Sequence, residues 1–178
     1  TDYPDLVDPL QALLYQKDPD WHLRQGFSLV LSTPGGEFTS LDGRVLVVVP
    51  PGALEGKTTF TFLPKPAPTH TGERLVYANN SFMLSAADSL GIPVTVFDWP
   101  LTVTIWYLPE DHATFPEASL ALYRWSEVYN QWLDVITNCP GEYSRDLKDN
   151  TLTFPLWHFS EFGLFGSSLN TYLPLVTR

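Results

Sequence analysis

From Phe27 onward, apolar and polar residues alternate in short runs broken by Pro, Gly, Asn and Asp clusters. A repeat of two residues is the signature of strands with one buried face, and the breaking residues are those of tight turns. The pattern predicts strands at 27–31, 37–40, 44–49, 57–63, 75–77, 81–87, 94–96, 101–108, 119–125 and 131–135, and a last one through 151–166. Leu41–Arg44 and Ser126–Asn130 read as hairpin turns, and Arg145–Asn150 as a polar turn. Pro64, Pro66 and Pro68 predict an extended linker after the fourth run. The first 26 residues differ. Leu6, Leu10, Leu13 and Leu14 fall at helical spacing, with Asp8 as a cap and Pro9 at the first position, so a short helix is expected at about 9–16. No alternation of strands and helices follows. The expectation is an all-β, antiparallel β-sandwich over 27–166, with an N-terminal extension at 1–26 and a C-terminal tail at 167–178.

The last run carries the candidate chemistry. Leu156 to Gly166 is aromatic and apolar, and it holds His158-Phe159-Ser160. On a continuous strand His158 and Ser160 would share one face, with Phe159 on the other. A base and a hydroxyl side by side are the minimum equipment for acyl transfer from the backbone. The alternative is a buried strand in which His158 binds a backbone carbonyl and Ser160 has no catalytic part.

Composition narrows the partners. The chain has 178 residues and a net charge of −10, with 10 basic against 20 acidic side chains. No basic patch or Lys/Arg run is present, which argues against nucleic acid. No apolar run reaches the ~20 residues that span a bilayer, so membrane insertion is not expected. Cys139 is the single cysteine and the four histidines lack metal-ligand spacing, so neither a disulfide, a metal nor a cofactor is expected. Glu110-Asp111-His112 reads as a solvated turn, and Asn79-Asn80-Ser81 fits a glycosylation acceptor. Trp99, Trp106, Trp125, Trp132 and Trp157 alternate with polar residues and are expected in the core. Were they an exposed flat row, they would suit a carbohydrate.

Gly43-Arg44-Val45-Leu46-Val47-Val48-Val49-Pro50-Pro51-Gly52-Ala53-Leu54 resembles the strand followed by Pro-Pro-Gly-Ala of the zona-occludens/netrin-receptor domain, the ZU domain. That β-sandwich occurs in ankyrins and netrin receptors. In its ZU-UPA and function-to-find relatives a His-Phe-Ser motif in a late strand marks self-cleavage, and His158-Phe159-Ser160 lies about a hundred residues after the first motif. The resemblance covers roughly 27–166. It implies an N-to-O acyl shift in which Ser160 attacks the Phe159 carbonyl, His158 serves as base, and the fragments stay associated. Only 18 residues follow Ser160, with no UPA module, and no death domain is present, so the signalling of those relatives does not carry over. The competing expectation is a non-catalytic protein-interaction domain of a larger surface or secreted protein.

Overall fold

The structure, a computed structural model, describes residues 25–72, 74–137 and 139–167. Eleven strands run in order: β1 (Phe27–Leu31), β2 (Gly36–Thr39), β3 (Val45–Val49), β4 (Thr58–Lys65), β5 (Leu75–Asp88), β6 (Val96–Trp106), β7 (Ala121–Ser126), β8 (Gln131–Asp134), β9 (Ser144–Asp146), β10 (Thr151–His158) and β11 (Ser160–Ser167). They form two antiparallel sheets, a six-stranded one in the order β1-β4-β5-β11-β7-β8 and a five-stranded one in the order β2-β3-β6-β10-β9. Among the described residues the only helical pieces are 3-10 turns at Pro109–His112 and Glu117–Ser119. The arrangement is all-β and sandwich-like. The expected helix at 9–16 and all but Ser167 of the tail at 167–178 lie outside the described residues.

Alternation explains the core. Val45, Val47 and Val49 of β3, and Leu101, Val103 and Ile105 of β6, are buried, while the residues between them are not. With Phe60 and Phe62 of β4, Phe82 and Leu84 of β5, Leu152, Phe154 and Leu156 of β10, and Phe162 and Leu164 of β11, they form one apolar cluster fed by both sheets. Burial of this kind contributes about 25 cal/mol for each Å² of apolar surface removed from water.

Three expectations are corrected. The runs at 75–77 and 81–87 are one strand, β5, because Asn79 takes a positive φ of 48° and lets the ladder absorb extra residues. Register with β11 shifts there, between Ser81↔Gly163 and Tyr77↔Phe165, and Asn tolerates such a φ better than most residues. The runs at 94–96 and 101–108 are likewise joined as β6. Pro64 does not end β4. It pairs with Phe82 on one side, and β1 pairs with β4 only as far as Phe62, so no ladder bond is lost on the other.

The Glu110–His112 turn is not simply solvated. Asp111 is 4% exposed and forms an ion pair with Arg44. Its carboxylate also accepts from the Leu108 N–H at 2.8 Å. Arg44 donates further to the carbonyls of Trp106 (3.2 Å) and Asn79 (3.3 Å), tying β3, β5 and the end of β6 together. Removing one partner strands the other charge away from water. Asp111→Ala is therefore expected to lower stability by about 3–5 kcal/mol, measured by urea unfolding. A loss below 1 kcal/mol would mean that the pair behaves as a surface one.

Candidate functional site at the crossing between sheets

The last strand predicted from the sequence is two strands in two sheets. His158 is the final residue of β10, in the five-stranded sheet, and Ser160 is the first residue of β11, in the six-stranded one. Phe159 belongs to neither ladder and carries the chain across. The expected sharing of a strand face by His158 and Ser160 therefore does not arise from alternation. The ladder loosens before the crossing, with a register shift between Leu156 and His158 against β6. Trp157, inside that shift, donates its indole N–H to the Pro140 carbonyl at 2.9 Å.

Each residue of the triplet is fixed by a different part of the fold. The Phe159 ring packs edge-on against Phe60, with centroids 5.8 Å apart, and against Phe97 at 4.7 Å. These contacts join it to the core cluster. The Ser160 hydroxyl donates to the Trp125 carbonyl on β7 at 2.8 Å. The His158 ring is hydrogen-bonded to the backbone of Thr95. No hydrogen bond joins imidazole to hydroxyl among the described residues. Partial burial, and then the nearby Arg124 guanidinium, push the His158 pKa below its ordinary 6.5, against the opposing effect of the Thr95 hydrogen bond. The ring is thus a neutral base at pH 7. A groove of about 290 Å³, lined by Ser85, Trp125, Glu127, Phe159 and Ser160 among others, opens beside the triplet.

Glu161, the next residue, is 8% exposed and committed elsewhere. One carboxylate oxygen takes the Lys65 ammonium at 2.9 Å and the other accepts the Thr69 N–H at 2.5 Å. Lys65 also donates to the Thr69 hydroxyl at 2.6 Å. These bonds pin the 64–72 segment as a strap over the outer face of the six-stranded sheet. Beneath it Trp125, Trp132 and Phe165 form a second, smaller apolar cluster. His70 stacks on Trp125, with ring centroids 3.7 Å apart and planes 5° from parallel, while Trp132 donates its N–H to the His70 carbonyl at 3.1 Å.

The strap therefore reaches Ser160 twice, through its neighbour Glu161 and through Trp125. Glu161 is held in an ion pair with Lys65. Of the tryptophans expected inside, Trp125 and Trp132 are buried, but Trp99 and Trp106 are exposed. Trp125 and Trp132 meet edge-on rather than in a flat row, which removes both from a sugar-binding platform.

Arg124, Trp125 and Thr95 were missed from the sequence. They reach the triplet through strand pairing and loop position, for which no short motif exists. Compared with known families and with curated proteins, the chain matches no family model and no curated sequence. No helix among the described residues is long and apolar enough to cross a membrane.

Burial raises the Glu161 pKa, but the Thr69 amide and the Lys65 ammonium outweigh it, and the net shift is below 4.5. A carboxylate with a depressed folded pKa contributes stability above its unfolded pKa, and that contribution is lost as pH falls through the folded value. Acidification below pH 4.5, through the lowered Glu161 pKa, is therefore expected to free the strap, read as a change in tryptophan emission and new proteolysis within 64–72. Glu161→Gln should remove that acid step and leave the strap already loosened at pH 7. An unchanged acid transition in the variant would assign it to another group.

Proposed function

We propose that this protein is a self-processing β-sandwich module of the ZU type that cuts its own backbone between Phe159 and Ser160. The observation that carries the reading is the crossing itself. Phe159 is clamped in the core by its ring while both flanks are held in separate sheets. Such anchoring fixes the scissile bond relative to a hydroxyl and a neutral imidazole, which is the benefit of pre-positioned reactants.

Rotation about the Ser160 side-chain bond frees Oγ from the Trp125 carbonyl and turns it toward the Phe159 carbonyl carbon. Oγ bonds to that carbon while its proton passes to His158. The carbon–nitrogen bond then breaks, and the His158 proton goes to the Ser160 nitrogen. The product is an ester between Phe159 and the Ser160 hydroxyl, with a free amine at Ser160. Water from the adjoining groove adds to the ester and the Ser160 hydroxyl leaves. A Phe159 carboxylate and a Ser160 ammonium remain. One water is consumed per chain and no cofactor takes part. The new N-terminal strand β11 stays paired with β5 and β7 on both sides, so the fragments remain one folded unit.

A second reading is favoured by one observation. In the resting structure the hydroxyl and the imidazole bind separate backbone groups, Trp125 and Thr95, as they would in a non-catalytic interaction domain.

Intact mass under denaturing conditions separates the two. Self-cleavage gives a chain ending at Phe159 and a peptide beginning at Ser160, both absent in Ser160→Ala and His158→Ala. A single full-length mass after days at pH 7 retires the catalytic roles. Because the His158 pKa is lowered from 6.5, the cleavage rate should fall on acidification with a midpoint below pH 6.5. A midpoint above 6.5 would place the titrating base elsewhere.

A further inference from the structure

Arg124 stands beside the crossing on the strand next to β11. On β7 it pairs directly with Phe162 of β11, and residues directly opposite in an antiparallel ladder project from the same face. Phe162 lies in the core cluster, so Arg124 points to the side between the sheets. Ser160 pairs with Leu84, and Leu84, Phe82 and Phe162 are all core residues in unbroken register, so Ser160 projects to that side too. His158 arrives from the facing sheet close enough for the guanidinium to act on its titration. Arg124 and Ser160 thus share the inner side of the six-stranded sheet beside the crossing, and His158 feels the guanidinium's charge.

The other partly buried cations among the described residues are satisfied. Arg44 takes Asp111, Lys65 takes Glu161, and Arg145 donates to the Leu120 carbonyl and lies over the Tyr143 ring. Arg124 is half-buried and has neither a hydrogen-bond nor an ion-pair partner among the described residues. Glu127 lines the groove beside Ser160 without pairing with it, and Glu161 is held on the opposite side of the sheet by Lys65. In a chain with twice as many acids as bases, a partly desolvated guanidinium left open is poised for an anion that forms only later.

We propose that this anion is the Phe159 carbonyl oxygen, held by Arg124 as the oxyanion of the tetrahedral intermediate and then as the carboxylate left by the cut. The inference rests on the self-cleavage reading and adds to it the group that receives the developing charge. No step beyond those above is required, and the guanidinium stays protonated throughout. It would also help hold the fragments together at the cut, since the carboxylate gains a cation that has no ion-pair partner among the described residues.

Two measurements test it. Cleavage of the full chain is followed by mass in the wild type, Arg124→Met and Arg124→Lys, with thermal unfolding as the control for folding. Loss of one oxyanion donor predicts a slowing of about 100-fold in Arg124→Met. Arg124→Lys, which keeps the charge, should recover part of that loss. Wild-type rates in a folded Arg124→Met overturn the role of Arg124 and leave self-cleavage standing. A wild type that never cuts overturns both.

The second measurement needs no cleavage. In the Ser160→Ala chain the His158 ring protons are titrated by NMR with Arg124 and with Met in its place. The His158 midpoint should rise when the cation is removed. An unmoved midpoint means that Arg124 does not face the crossing, and the proposal fails whatever the cleavage assay gives.

Discussion

Strand β11 is buried on both of its faces, and much of the remaining architecture follows from that constraint. Its inner residues Phe162 and Leu164 enter the core between the sheets, while Glu161 and Phe165 on the outer side are buried as well. A sheet face that carries Phe165 and two tryptophans must be covered, and the 64–72 strap covers it. A carboxylate beneath a strap must be paired, so Lys65 and the Thr69 amide converge on Glu161. Even the glycines belong to this arrangement. A Cβ on Gly163 would meet the Phe165 ring at 2.5 Å, and one on Gly166 would meet Phe115 at 2.0 Å. These positions make room for aromatic rings on either side of the strand.

The same strand starts one residue after the other sheet ends. Two chain steps reach about 7 Å, whereas packed sheets stand about 10 Å apart. The sheets must therefore draw together at the crossing, and the residue between has no ladder of its own. Phe159 takes that place because its ring can be anchored in the core while its backbone makes the passage. The anchoring contacts, Phe60 from one sheet and Phe97 from the other, hold it from both sides. Edge-on aromatic pairs of this kind add about 0.5–1.5 kcal/mol each beyond area burial.

Much of the strand pattern was legible in the sequence, because wherever one strand face is wet the apolar residues alternate. The turns at Asp42-Gly43 and Asn150 were legible too, from residues that tolerate positive φ, here 74° at Gly43 and 51° at Asn150. What failed to show was the break at Phe159. With β11 buried on both faces, its residues give no alternation to contrast with β10, and the two strands read as one. Asp111 was misread for a related reason. An acidic residue in a turn after Pro109 looks solvated unless Arg44, 67 residues away in sequence, is known to lie beside it. Arg124 sits in Leu122-Tyr123-Arg124-Trp125 at what the pattern marks as an inward position, and a charge there is easily dismissed as a strand-end exception.

The catalytic and the structural readings of His158-Phe159-Ser160 differ by very little structure. Both need the ring of Phe159 in the core and both need the strands on either side. They part at the Ser160 hydroxyl, which stays on the Trp125 carbonyl in the structural reading and leaves it for the Phe159 carbonyl carbon in the catalytic one. A neutral hydrogen bond to a carbonyl contributes about 0.5–1.5 kcal/mol net, so its loss is a small barrier beside that of amide attack. The hydrogen bond in the resting structure therefore does not disarm the nucleophile. What a purely structural site would leave unexplained is the company it keeps: a partly buried cation with no hydrogen-bond or ion-pair partner among the described residues and an imidazole whose pKa is lowered, both near a serine that lines a groove. A structural crossing gains nothing from an unpaired guanidinium, which partial burial makes costly. An acyl transfer, which creates negative charge there and takes up a proton, has a use for each.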